Sequence, residues 1–366
     1  MVIKISRFTT GIVFVAIPLT AIILPALTAF LILIFICLLN RNFEVLVFLF
    51  LCMILTLLIV FSFSPVSYNS DPRIFANALN TTFSFLIIIF SSFFKLKKIQ
   101  LDRSPFLDFL VISLSVLTLL FIIIFQSSED VGAIPQILAF SFAGYLSFAP
   151  NLFIVACILG ATLIISARAI LIGAIAGWIF SNLRSKLRAW LIGIVSTIIL
   201  FIFLNYDVVQ ISIDLLSSLR EIGVFFKGRV NWWLYTLAQG SSFMGNGPGF
   251  SVMFLSDLHL ESSMILPHND FIRVYSDYGI FGFFMLLISL ILHSLKSSSN
   301  FFIVVLLSCF LLTGNPLSFP TVVITFLVII CGNETSSKGV AKSKSLYRDY
   351  INKRSAIENY KKLTVK

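Results

Sequence analysis

The sequence predicts an all-α integral membrane protein, a polytopic helical bundle of about 12 transmembrane helices with one large loop on the outer face. Three observations carry this. Of the 366 residues, 58% are hydrophobic and only 11% are charged, and the mean hydropathy is +1.03. A soluble chain cannot bury so much apolar surface. Apolar runs of roughly 20 residues recur between short polar patches, which is the pattern of helices that cross a bilayer. The strict apolar–polar alternation of a membrane barrel is absent.

Charge sets the orientation. The formal net charge is +10. The cations gather in loops and at the C-terminus, so they orient the chain by the positive-inside rule and do not point to nucleic acid. Cys37, Cys52, Cys157, Cys309 and Cys331 lie in or at the ends of apolar runs with no CxxC pair, and read as small hydrophobes. Lys4 and Arg7 precede an apolar stretch, as in a signal peptide. Gly11 to Leu39 is longer than such a segment and carries Pro18 and Pro25, so it reads as a retained helix pair.

In chain order, Phe8 to Leu39 folds as a hairpin split near Pro25, and Asn40-Arg41-Asn42 turns on the inner side. Phe43 to Phe63 crosses outward. Ser64 to Arg73, with Pro65, Asn69, Asp71 and Pro72, is an outer turn. Ile74 to Phe94 returns to an inner loop marked by Lys95, Lys97, Lys98 and Arg103. Phe106 to Phe125 crosses outward to Glu129 and Asp130.

Ile134 to Ser147 is short for a span, and Asn151 to Ile165 follows Pro150. A further apolar run reaches Phe180. Arg184, Lys186 and Arg188 mark the inside again, and Trp190 to Leu204 crosses outward. Phe271 to His293 returns, with Lys296 inside. Phe301 to Leu312 and Pro316 to Ile330 form a last hairpin around Asn315-Pro316. If the short pairs are re-entrant, the number of spans falls to about ten. Residues 1–332 form one transmembrane domain, and residues 333–366 a basic cytoplasmic tail.

Residues 205–269 form the one large hydrophilic loop, expected on the outer face. Val208 to Phe226 has apolar residues at helical spacing and suits the membrane surface. Arg229 to Ala238 reads as a second helix with Trp232, Trp233 and Tyr235 at interface depth. Gly245-Asn246-Gly247-Pro248-Gly249 is a tight turn. It lacks the Lys-Ser/Thr of a phosphate loop, so it does not indicate a nucleotide site. His259 and Glu261, without further ligands, make no metal site.

The chemistry gathers on the same face. The centres of the spans are almost free of ionisable groups, which argues against a proton- or ion-coupled transporter. Arg168 interrupts an apolar run near its outer end, either as a ligand for an anion or as a snorkelling structural residue. Arg229 opens the Trp-rich segment. His268 stands where the polar loop meets the next apolar run and can hold or move a proton near neutral pH. Asn269 or Asp270 suits the N-cap of that run. Arg273 and Asp277 are one helical turn apart and suit a pair. Gly279 and Gly282 permit close helix contact. Two arginines and a histidine on one face suit an anionic substrate: the guanidinium forks match phosphate oxygens, and the imidazole can orient or deprotonate a hydroxyl.

His268-Asn269, followed after nine residues by Gly279 and then by Gly282, resembles the HN-x9-G-x-x-G signature of the O-antigen ligase family, whose domain is shared with O-antigen polymerases. Ile165-Ser166-Ala167-Arg168-Ala169 is similar to that family's Ser-Arg segment, although Ala167 stands directly before Arg168. Arg229 with Trp232 and Trp233, then Gly245 to Gly249, resembles the segment before its histidine. The likeness spans Asn151 to Phe284, with a rather short outer loop.

The resemblance implies a GT-C-like inverting glycosyltransferase of the bacterial inner membrane, working without a metal or cofactor on the periplasmic face. It would move a glycan from undecaprenyl pyrophosphate to a hydroxyl of lipid A-core or another glycolipid. Arg168 and Arg229 would hold the pyrophosphate, and His268 would position or activate the acceptor, supported by Asn269 and Arg273. A polymerase, whose acceptor is another lipid-linked repeat, shares these features. A polysaccharide or lipid transporter is the reading from a different class.

Overall fold

The computed structural model describes residues 43–66, 71–94, 134–148, 155–160, 168–181, 243–259 and 268–332, with isolated positions between 109 and 116, between 187 and 194, and at 236 and 239. The N-terminal hairpin, most of loop 205–269 and the basic tail therefore lie outside the described residues. Those described are overwhelmingly helical and include no strand. The longer helices are α1 (Phe43–Phe63), α2 (Pro72–Phe93), α3 (Ile134–Tyr145), α4 (Arg168–Ser181), α5 (Phe250–His259), α6 (Asp270–Lys296), α7 (Ser298–Thr313) and α8 (Pro320–Gly332).

Among the described residues, α1, α2 and α6 are long and apolar enough to cross a membrane. They match three of the expected spans closely. Along α1, Val47, Phe50, Leu58 and Phe61 are exposed, whereas Val45, Leu49, Cys52 and Val60 are buried. An exposed row of large apolar side chains suits hydrocarbon and not water. The hairpin ends are built locally. Asp71 accepts from the N–H groups of Arg73 (2.8 Å) and Ile74 (3.2 Å), and Pro72 occupies the first turn of α2, where a missing N–H does no harm.

The interior is polar in places, and some of its hydroxyls bond back to their own helices. Thr56, Thr81 and Thr82 return their hydroxyls to carbonyls one turn earlier on their own helices, at 2.7, 2.8 and 2.7 Å. The core proper is formed by α2, α3, α7 and α8, with Ile87, Ile88, Phe140, Leu306, Val323 and Phe326 fully buried or nearly so.

Small residues set the α4–α7 contact. A Cβ at Gly173 would lie 3.0 Å from Cys309 Cβ and 3.1 Å from Leu306 Cα, and one at Gly177 would lie 2.9 Å from the Phe302 ring. One turn further along α4 thus meets an earlier turn of α7, so the two helices run antiparallel and very close. Extrapolated by about 1.5 Å per residue, the start of α4 at Arg168 is level with the end of α7 at Thr313.

α6 is not one continuous rod. It breaks at Gly279, where φ is 71° and ψ is −170°. Only glycine adopts that backbone readily. The sequence suggested glycines for contact between helices, but the principal reason here is different. Gly279 turns the chain. Gly282 then sits where a Cβ would come 2.3 Å from Tyr278 Cβ of the same helix, with Phe85 of α2 also close.

Candidate functional site

Four segments meet at one end of the bundle: residues 64–66 after α1, the turn 243–249, the start of α6, and the Asn315–Ser318 connection between α7 and α8. Sequence analysis assigned all four to one side of the membrane. At the opposite end, Lys296 Nζ donates to the Ser92 carbonyl (3.4 Å), and the Arg188 guanidinium lies 5.7 Å from the Phe301 ring centre. These cations belong to the loops expected on the other side. His293 is buried near that same end, with Nε2 3.0 Å from Ser91 Oγ.

The break in α6 creates the docking site for the turn. An unbroken helix would pair the carbonyls of Ser276 and Asp277 with N–H groups four residues on. Here the Asn246 N–H donates to the Ser276 carbonyl and the Gly247 N–H to that of Asp277, both at 3.0 Å. The Phe281 N–H donates to the Phe243 carbonyl at 3.2 Å. Gly245, Gly247 and Gly249 all have positive φ. A Cβ at Gly245 would lie 2.3 Å from the Asp277 carbonyl oxygen, and one at Gly247 would lie 2.2 Å from that of Phe63. Ser64 Oγ completes the junction by donating to the Pro248 carbonyl at 2.7 Å. The expected tight turn is present, and it is followed by α5, a helix that sequence analysis did not anticipate.

Beneath the turn lies a fully buried charge cluster. Arg273 is sandwiched between Asp270 and Asp277, at 3.7 Å from each carboxylate, and all three side chains have no exposed surface. The expected Arg273–Asp277 pair is therefore part of a triad. The guanidinium donates to Ser318 Oγ (2.7 Å) and to Asn77 Oδ1, reaching the α7–α8 connection with one nitrogen and α2 with the other.

Backbone donors meet both carboxylates. Asp270 accepts from the Leu317 N–H at 2.7 Å, and Asp277 from the N–H groups of Gly249 (3.1 Å) and Ser251 (2.8 Å) at the start of α5. A carboxylate at a helix N-terminus is favourably placed. Buried charge of this kind is tolerated because each ion faces an opposite charge and accepts or donates at least one hydrogen bond. Tyr278 closes the side toward α2, 2.7 Å from Thr82 Oγ1 and stacked on Phe85 at 4.6 Å.

The candidate residues divide accordingly. Asn269 is the N-cap of α6, accepting from the Phe271 and Ile272 N–H groups at 3.1 Å each. Arg273 is engaged wholly within the cluster. Both are framework. His268 stands at the rim, half-buried, with φ 54°, the one positive φ outside glycine among the described residues. Its Nδ1 is 3.2 Å from Asn315 Nδ2. Arg168 opens α4 at the same end, by the register of α4 on α7. Arg229, Trp232 and Trp233 lie outside the described residues. Asn77, Asn315 and Ser318 were missed as partners, because single polar residues at helix mouths leave no periodic signal.

This arrangement defines a helical protein suited to the membrane, with a rigid polar end that presents one histidine. No model of a protein family and no curated protein matches the chain.

Proposed function

We propose that the chain is an O-antigen ligase-type glycosyltransferase of the bacterial inner membrane. It transfers a glycan from undecaprenyl pyrophosphate to a hydroxyl of lipid A-core on the periplasmic face. The observation that supports this best is His268: half-buried, held in a left-handed conformation, and seated on a fully buried Asp270–Arg273–Asp277 cluster at the mouth of an apolar bundle. A lipid-borne substrate reaches such a mouth from the bilayer. In transfer, the acceptor oxygen bonds to the anomeric carbon from the face opposite the leaving group. The carbon–oxygen bond to the diphosphate breaks, and the electron pair leaves with the diphosphate. Arg168 and Arg229 offset the charge that collects there. His268 serves the reacting groups at the rim.

Two experiments test this. Arg168→Ala, Arg229→Ala and His268→Ala should each abolish glycan transfer while the protein remains in the membrane. Normal surface polysaccharide in all three variants would contradict the site. Deleting the gene should strand full-length polymer on the lipid carrier. Single repeats attached to lipid A-core would instead mean polymerase, and glycan trapped inside the cell would mean transporter.

A further inference from the structure

The hydrophilic loop is expected wholly outside the membrane, yet two helices show how deep its last turn comes. Both are tied to the inner end of α2: His293 of α6 to Ser91 at 3.0 Å, and the Phe48 ring of α1 to that of Phe94 at 5.8 Å. Measured from these contacts at roughly 1.5 Å per residue, Phe281 stands about 18 Å up α6 and Phe63 about 22 Å up α1. Phe94 is about 4 Å nearer the inner end than Ser91, so the two marks coincide to within one helical turn. The 21 residues of α1 rise about 30 Å in all, the thickness of a hydrocarbon core, so Phe63 marks its outer edge. The 243–249 turn bridges the two marks. Its Phe243 carbonyl accepts from the Phe281 N–H, and Gly247 lies against the Phe63 carbonyl.

At this depth the turn shows lipid large apolar side chains. Phe243 is 64% exposed and Met244 68%. The Phe243 ring centre lies 5.9 Å from that of Phe281, itself exposed on α6, and Phe61 and Phe63 are exposed where α1 ends. The patch is thus continuous with the apolar face that α1 turns to the bilayer. The backbone suits the same depth, because much of its hydrogen bonding is met by protein. The N–H groups of Asn246, Gly247 and Gly249 all donate to Ser276 or Asp277, and the Pro248 carbonyl accepts from Ser64.

We infer that the 243–249 turn is a membrane-interface anchor: Phe243 and Met244 insert among the phospholipid acyl chains of the outer leaflet, beside Phe281. The C-terminal part of the hydrophilic loop is then fixed to the lipid as well as to the break in α6. The anchoring is independent of the reaction proposed for this end of the bundle.

The test uses the full chain in phospholipid vesicles. Met244→Cys takes a nitroxide label in a background whose five native cysteines are replaced by alanine. Collisions with oxygen, which partitions into lipid, are compared with collisions with a water-soluble nickel chelate. Leu58→Cys, on the exposed face of α1, is the lipid reference. The label at 244 should meet oxygen more often than the chelate, as at 58, and should read about 5–10 Å below the phosphates. More collisions with the chelate than with oxygen at 244 would overturn the inference. If the alanine background does not fold, p-benzoylphenylalanine at 244 in the chain with its native cysteines answers the same question. Irradiation should attach phospholipid at that position. Attachment only to a polypeptide, or none at all, would overturn the inference.

Discussion

Replacing Arg273 by Leu removes the centre of the buried cluster while roughly keeping the apolar volume of the side chain. The guanidinium is fully buried, lies 3.7 Å from each of two carboxylates, and donates to Ser318 and Asn77. Without it, Asp270 and Asp277 remain in the interior with only their backbone donors, and Asn77 Oδ1 loses its guanidinium donor. Removing one partner of a buried ion pair costs about 3–5 kcal/mol, because the other charge is left uncompensated. The lost hydrogen bonds are included in that figure, since contacts in one network do not add independently. At ~2–4 °C per kcal/mol for a chain of a few hundred residues, the melting temperature in detergent should fall by about 6–20 °C. Arg273→Lys should fall less, by about 1–3 kcal/mol, because an ammonium keeps the charge but cannot reach two helices with one planar fork. Adding Asp270→Asn and Asp277→Asn to Arg273→Leu should restore part of the loss, since both net charges are removed and an amide oxygen still accepts from Leu317 and from one of Gly249 and Ser251. Fluorescence-detected size exclusion after heating measures all of these. If Arg273→Leu melts within about 2 °C of the parent, the cluster does not hold this end of the bundle together, and the reasoning fails.

Two further predictions test the geometry around the site. Gly173→Cys should cross-link to the native Cys309 on mild oxidation, because a Cβ at position 173 lies 3.0 Å from Cys309 Cβ and a shift of about 0.5 Å reaches disulfide geometry. A band that survives in Gly173→Cys/Cys309→Ser, or none in Gly173→Cys alone, would refute the antiparallel α4–α7 register that places Arg168. Gly279→Ala should lower stability by about 1–3 kcal/mol, since its backbone lies where side chains are hardly tolerated. Gly245→Ala should cost at least as much through collision with the Asp277 carbonyl, and unchanged melting of either variant would show that the turn does not dock on the break.

What could be read from the sequence was whatever depends on local spacing. The α1–α2 hairpin, the Asn269 cap, the Arg273–Asp277 turn and the Gly245–Gly249 turn each follow from residues within a few positions of one another. The role of Gly279 was not legible in this way. A glycine that lets two helices touch and a glycine that breaks a helix are the same letter, and only the loop arriving from residues 243–249 decides between them. Asn77, Ser318 and Asn315 were hidden for the same reason. Each is an isolated polar residue whose partner lies 196, 45 or 47 positions away, and no periodicity links such positions. The Arg229 segment, half of the expected anion grip, lies outside the described residues.

The break at Gly279 explains why this end of the bundle is so heavily bonded. A helix interrupted within a span exposes carbonyls that lipid cannot satisfy, and such irregular backbone persists only where protein supplies the donors. The 243–249 turn supplies them to Ser276 and Asp277, and Asp277 in return caps α5. The break and the turn therefore require each other: without the turn the break is unsatisfied, and without the break the turn has no acceptors. The cluster beneath extends this mutual dependence to α2 and to the α7–α8 connection through Asn77 and Ser318. The hydrophilic loop is thus not a free appendage where it meets α6. Its C-terminal part shares one frame with the Asn269 cap and the two carboxylates that follow His268 in α6.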